Sequence, residues 1–106
     1  NSINKLANMY FILGKTYYLE GSKFNSKGDA IYPGGTKERN EFYNKSLANY
    51  ILASTLFNVN DTQPINCYVA IGDIYREQKL NSKAYEYYYN AYEYAKKENY
   101  YHYLLV

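Results

Sequence analysis

INCYVAIGDIYREQKLNSKAYEYYYNAYEYAKKE, residues 65–98, is the stretch that decides the fold class of this chain. Its first half places residues at the three- and four-residue spacing of one helix face, at Tyr68, Ile71, Gly72 and Tyr75. Its second half alternates small and large residues at the same spacing, at Ala84, Tyr88, Ala91 and Ala95. Pro64 suits the first helical turn, and Asn81 or Ser82 is predicted to cap the second helix. The stretch therefore predicts an antiparallel pair of helices, over 64–79 and 81–98.

The residues before this pair predict two further helices, over 3–19 and 36–58. The inner stripe of the first is predicted to hold Leu6, Met9, Tyr10, Leu13 and Tyr17. The inner stripe of the second is predicted to hold Phe42, Ser46, Tyr50, Ala53 and Phe57, with Thr36 as its cap. The glycine- and lysine-rich residues 21–36 predict a loop, and residues 100–106 predict the start of another helix. We therefore predict a single all-α domain of antiparallel helical hairpins.

The two hairpins repeat one pattern. Both first helices carry an aromatic, an aliphatic, a glycine and a tyrosine at offsets of 3, 1 and 3, at Tyr10, Leu13, Gly14 and Tyr17 and again at Tyr68, Ile71, Gly72 and Tyr75. Both second helices carry a small residue, a tyrosine and an alanine at offsets of 4 and 3, at Ser46, Tyr50 and Ala53 and again at Ala84, Tyr88 and Ala91. This repetition predicts one packing scheme for both hairpins.

In this pattern the chain resembles the tetratricopeptide repeat (TPR) family, whose hairpin of about 34 residues has this order of aromatic, glycine and alanine positions. The match is best over 65–98. There are 32 residues from Gly14 to Ser46 but 12 from Gly72 to Ala84, so the first hairpin carries about 20 extra residues. The family's helix-ending proline is replaced by Lys96 and Lys97. The resemblance implies an α-α solenoid with a right-handed superhelix, and we expect the chain to be a fragment of a longer protein.

The resemblance also implies a function, because TPR arrays bind peptides or partner proteins on a concave face formed by the first helix of each hairpin. By spacing, this face is expected to hold Asn8, Phe11, Lys15, Tyr18, Leu19, Asn66, Val69, Asp73, Arg76 and Glu77. Asp73 departs from the basic clamp with which some members grip a terminal carboxylate. The resemblance thus implies a protein- or peptide-binding module, in the sensor or scaffolding region of a larger signalling or regulatory protein.

An alternative prediction is self-association, because 17 of the 106 residues are tyrosine and tyrosines surround much of the helix predicted over 81–98. Tyrosine gives a large contact area at interfaces for a small loss of conformational entropy. The residues predicted to join two copies are Tyr85, Tyr89, Tyr92, Tyr103, Leu104 and Leu105. The abundance of Asn, Lys, Tyr and Ile is equally what an AT-rich genome encodes, so both explanations of the tyrosines stay open.

Several classes of function are disfavoured by composition. One cysteine, Cys67, and one histidine, His102, allow neither an internal disulfide nor most metal or catalytic sites. Gly14-Lys15-Thr16 lacks the earlier glycine of a phosphate-binding loop. A net charge of +2 and the lack of an 18-residue apolar run give no sign of nucleic-acid or membrane binding. We predict a non-enzymatic chain without metal or cofactor, with a cytoplasmic location favoured and the compartment left open.

Overall fold

The computed structural model describes residues 2–57 and 61–98 of the chain. The helices of these residues are α1 (Ser2–Ser22), α2 (Lys37–Leu56), α3 (Gln63–Glu77) and α4 (Asn81–Lys97). Each packs against the next, α1 on α2, α2 on α3 and α3 on α4. The all-α fold is confirmed, and the superhelical arrangement stays a prediction. The helix predicted over 100–106, with Tyr103, Leu104 and Leu105, lies outside the described residues.

Local hydrogen bonds determine where the helices begin and end. Thr36 caps α2 as predicted, since its Oγ1 accepts a hydrogen bond from the Arg39 backbone N–H at 3.3 Å. The predicted cap at Asn81 or Ser82 is wrong, because α4 already begins at Asn81. Instead, Lys79 adopts a left-handed φ of 63°. The Leu80 N–H then donates to the carbonyl of Tyr75, five residues back, at 2.9 Å. This Schellman-type ending makes the turn between α3 and α4 short.

The loop between α1 and α2 begins later than predicted, since Gly21 and Ser22 belong to α1. The helix continues because Gly21 lies against α2, where an added Cβ would come within 2.8 Å of the Phe42 Cβ. The loop then turns back on itself. The Asn25 side chain accepts hydrogen bonds from the backbone N–H groups of residues 27 and 29, and Phe24 pairs with Ala30 in a single antiparallel bridge.

The contact that joins each hairpin is a glycine against a tyrosine ring. A Cβ added to Gly14 would lie 2.8 Å from Cδ1 of Tyr50, and one added to Gly72 would lie 2.6 Å from Cε1 of Tyr88. These pairs occupy equivalent places in the repeated pattern. Both hairpins therefore pack by the same means, with the backbone of the first helix brought up to the aromatic face of the second.

The predicted inner stripe of α1 is wrong at three positions. Leu6, Met9 and Leu13 are exposed, whereas Ala7, Gly14 and Gly21 form the buried side of the helix. Small residues face α2 because the tyrosine rings of α2 occupy the space between the two helices. Because α1 carries apolar residues on several sides, their spacing does not show which side of the helix is buried.

The stripes predicted for α2 and α4 fit the structure better. Ser46, Tyr50, Ala53 and Phe57 are buried on the α2 side, and Ala84, Ala91 and Ala95 on the α4 side. The predicted Phe42 and Tyr88 are half-buried, and the buried Tyr43 and Leu47 of α2 were not predicted. On α3, Ile71 and Gly72 are buried as predicted, but Ile65, Cys67 and Ile74 are also buried and were not assigned to its stripe. The core thus continues through α3, which lies between α2 and α4.

Replacing Gly14 with alanine tests the glycine–tyrosine contact. The new methyl group meets the buried Tyr50 ring, so we expect Gly14→Ala to lower the free energy of unfolding by about 1–2 kcal/mol despite the better helix propensity of alanine. Urea unfolding followed by circular dichroism measures this change. Gly34→Ala is the matched control, because its Cβ would meet only an Arg39 nitrogen at 3.8 Å. Equal stabilities of the two variants would contradict the role given to Gly14.

Candidate functional site

A groove of about 750 Å³ is lined by residues of α3 and α4 and by Phe11 of α1. Its floor is apolar and is made of Ile65, Ala70, Ala91 and Ala95. The aromatic side chains around it are Phe11, Tyr88 and Tyr92. The alanines matter because their small side chains leave space that larger residues at the same helical positions would fill. We call this feature the α3–α4 groove.

The polar part of the groove is formed by Asn66 and Asp73 of α3. The Tyr88 hydroxyl, which reaches across from α4, donates a hydrogen bond to Oδ1 of Asp73. Arg76 Nη2 lies 3.6 Å from the same oxygen. Among the described residues both contacts go to Oδ1, so Oδ2 is left as an acceptor for a ligand. The groove therefore combines an apolar floor with a carboxylate whose charge the exposed Arg76 offsets only in part.

The residues predicted to form one concave face lie in separate parts of the structure. Phe11, Asn66, Val69 and Asp73 line the α3–α4 groove together. Tyr18 and Asp73 both line a smaller cavity of about 110 Å³ beside it. The remaining predicted residues lie outside the groove lining, with exposed side chains at Asn8, Lys15, Leu19, Arg76 and Glu77. The groove thus draws on α3 far more than on α1.

Glu77 belongs to a different set of contacts, around the buried hydroxyl of Tyr43. Glu77 Oε1 accepts from the Tyr43 hydroxyl at 3.5 Å, and Arg39 Nε donates to that hydroxyl at 3.0 Å. Ser22 Oγ lies 2.7 Å from it. The Tyr18 ring stacks on Tyr43 with centroids 5.3 Å apart. Glu77 and Tyr18 therefore connect α1, α2 and α3 structurally.

Sequence reasoning missed the contribution of α4 to the groove. It assigned Tyr88, Ala91 and Ala95 to the core and Tyr92 to self-association, yet all four line the groove. A signal was present, because an alternation of alanine and tyrosine along a helix leaves recesses between the rings. The other predicted self-association residues of α4, Tyr85 and Tyr89, are exposed, and the Tyr89 and Tyr92 rings stack with centroids 6.3 Å apart.

Other kinds of site find little support in the part of the chain that the structure describes. Those residues include no cluster of three or more His, Cys, Asp or Glu side chains placed to hold a metal ion. None of the described helices is both long and apolar enough to cross a membrane. Comparison of the chain with protein-family models, curated proteins and solved structures gives no match in any of the three.

Burial raises the pKa of several groups in and around the core. It raises the pKa of Tyr50 to about 12 and that of the Cys67 thiol to about 12. Burial is also the largest cause for Tyr18 and Tyr88, whose pKa values are raised to about 12 with help from hydrogen bonds to Glu77 and Asp73, respectively. Cys67 is therefore a neutral thiol at neutral pH and a poor nucleophile.

These shifts predict a loss of stability in alkaline solution. In each group the folded protein holds its proton more tightly than the unfolded chain, where the pKa is about 8.5 for cysteine and about 10 for tyrosine. The contribution of these groups to the free energy of unfolding should therefore be constant below about pH 8 and fall steadily up to about pH 12. Urea unfolding at a series of pH values measures it. Tyr50→Phe should make the fall shallower, whereas Tyr85→Phe, which removes an exposed hydroxyl, should not.

Proposed function

We propose that this chain is a protein- or peptide-binding helical-repeat module, similar to TPR modules, and that the α3–α4 groove is its binding site. We place it in the sensor or scaffolding region of a larger signalling or regulatory protein. The observation that carries the proposal is the apolar, aromatic-lined groove with the carboxylate of Asp73 at one end. A catalytic role has no comparable support among the described residues.

The size and lining of the groove indicate what it binds. A volume of about 750 Å³ is within the range of about 300–1,000 Å³ that is typical of ligand sites. Aromatic rings from α1 and α4 surround a floor of small side chains, which suits an aliphatic or aromatic side chain of a peptide. In such a site a few polar groups fix the orientation of the ligand. Here Asn66 and Asp73 are the polar groups of α3 that can do so.

The charge of the groove sets the polarity of the ligand. Asp73 is already bonded through Oδ1 to Tyr88, which holds its carboxylate in one orientation. An N–H group or a cationic side chain of a ligand can bind Oδ2, whereas a ligand carboxylate is disfavoured, because the exposed Arg76 offsets the charge of Asp73 only in part. We therefore propose a peptide segment with an apolar side chain next to a lysine, an arginine or a free amino group. This differs from the carboxylate grip of some TPR proteins.

A peptide library displayed on phage tests the groove directly. Peptides selected on the chain should be enriched in apolar residues next to Lys or Arg. Val69→Glu places a charge on the groove rim, so it should weaken their binding by at least about tenfold in fluorescence anisotropy. Leu52→Glu is the matched control, because Leu52 of α2 is 41% exposed and Val69 is 39% exposed, but only Val69 lines the groove.

The role of Asp73 is tested separately with Asp73→Asn. This substitution keeps the size of the side chain and removes its charge, so binding of cationic peptides should weaken about fivefold to tenfold while their apolar analogues bind unchanged. No enrichment of peptides, or equal weakening by Val69→Glu and Leu52→Glu, would contradict the proposal. Circular dichroism of each variant separates a loss of binding from a loss of folding.

Self-association through α4 is a second candidate function, favoured by the exposure of its tyrosines. Tyr85 is 71% exposed, and the stacked Tyr89 and Tyr92 rings extend this surface toward the groove. If two copies join here, Tyr85→Lys combined with Tyr89→Lys should give monomers in sedimentation velocity. Asn90→Lys, an exposed position on another side of α4, should leave assembly unchanged. An assembly that persists in the tyrosine double variant would exclude this interface.

A further inference from the structure

The side of α1 that faces away from α2 is unusually apolar. Its exposed large side chains are Leu6, Met9, Ile12, Leu13 and Leu19, of which Ile12 is 62% exposed. At 3.6 residues per turn these five lie within a sector of about 140°, opposite the buried side formed by Ala7, Gly14 and Gly21. We call this surface the outer face of α1. Contiguous apolar surface of this kind typically marks an interaction site.

The charges of the outer face are arranged for a second copy of the same helix. The sector also contains the polar residues Ser2 and Thr16 and two charged residues, Lys5 near the beginning of α1 and Glu20 near its end. These two charged residues are equally distant from the midpoint between Ile12 and Leu13. In an antiparallel pair of α1 helices with a two-fold axis at that midpoint, Lys5 of each copy lies level with Glu20 of the other. The same axis places Ile12 and Leu13 of both copies at the centre of the contact.

We propose that the chain forms a two-fold symmetric dimer through the outer faces of two antiparallel α1 helices. Such an interface is isologous, since each copy contributes the same surface. The side chain that binds Glu20 in the structure is Lys23, one turn along, in an exposed ion pair. An exposed pair of this kind is weak, so Glu20 can exchange it for Lys5 of a second copy at little cost.

The proposed dimer leaves the α3–α4 groove open. Phe11, the α1 residue that lines the groove, projects from the opposite side of the helix to the outer face. Dimerisation and peptide binding are therefore independent, and either one can fail without the other. A 21-residue helix is about 30 Å long, so the buried area is at the lower end of the range for specific dimers, about 1,200 Å². We expect a dissociation constant in the micromolar range.

Sedimentation velocity of the 106-residue chain over a range of concentrations tests the proposal. The chain should form dimers, and Ile12→Glu should raise the dissociation constant at least about tenfold, since it places charges on both sides of the axis. Leu52→Glu, an exposed apolar position on α2, is the matched control and should leave the dimer intact. A chain that stays monomeric to millimolar concentration overturns the proposal and leaves the outer face to a different partner.

Charge exchange tests the antiparallel arrangement without altering the apolar contact. Lys5→Glu and Glu20→Lys should each weaken the dimer about fivefold to tenfold, because each produces two like-charged pairs, and the double variant should return to within about twofold of the original. Failure of the double variant to recover would overturn the antiparallel pairing. A dimer that survives Ile12→Glu but is lost in the Tyr85→Lys, Tyr89→Lys variant would overturn the α1 interface in favour of the α4 tyrosines.

Cross-linking fixes the register. In a Cys67→Ala background, Met9 and Thr16 lie level with each other across the proposed axis, so a mixture of Met9→Cys and Thr16→Cys chains should form the mixed disulfide. Neither variant alone should cross-link efficiently, because two copies of residue 9 are about 10 Å apart along the helices. Efficient cross-linking of Met9→Cys with itself would show a parallel pair and overturn the proposed symmetry.

Discussion

The close contact between a glycine backbone and a tyrosine ring is the constraint on which the rest of this structure depends. At Gly14 and Gly72 a side chain as small as a methyl group would overlap the ring of Tyr50 or Tyr88. The two helices of each hairpin are therefore close together, and the ring fills the space between them. This arrangement also sets the groove, because Tyr88 lies against Gly72 and directs its hydroxyl to Asp73. A packing contact and a binding-site contact thus share one side chain.

The buried Tyr43 serves as a core residue because its hydroxyl group finds partners. Aliphatic residues that are fully buried are few, and the large core residue Tyr43 is 2% exposed. Its hydroxyl contacts Ser22, Arg39 and Glu77, so burial of the ring leaves no polar atom unpaired. Within the described residues every buried side-chain oxygen and nitrogen has a hydrogen-bond partner. Such a core combines apolar area with specific polar contacts, which a core of leucines would lack.

The sequence predicted the helices and the faces of α2 and α4 because one side of each carries a clear alternation of small and large residues. It failed on α1, where Leu6, Met9 and Leu13 have the same spacing as a core stripe but are exposed. Hydrophobicity alone cannot reveal that a glycine faces the neighbouring helix, since this depends on the tyrosine that α2 supplies. Only the α3 side of the groove was predicted, again because the rest depends on how two helices pack. Spacing on α3 identified Asn66, Val69 and Asp73, whereas the part played by Ala91 and Tyr92 depends on how α4 lies against α3.

The two unburied surfaces differ in chemistry, and this difference argues for different partners. The outer face of α1 is aliphatic, with Lys5 and Glu20 near opposite ends, so its charge pattern is complementary to itself when one copy is reversed. The α3–α4 groove is aromatic and concave, and its lining contains the carboxylate of Asp73 but no basic side chain that could pair with Asp73 of a second copy. A concave site also requires a ligand that projects into it. The outer face of α1 cannot be that ligand while it is buried in the dimer. Self-association therefore suits α1, and binding of a chemically different, cationic segment suits the groove.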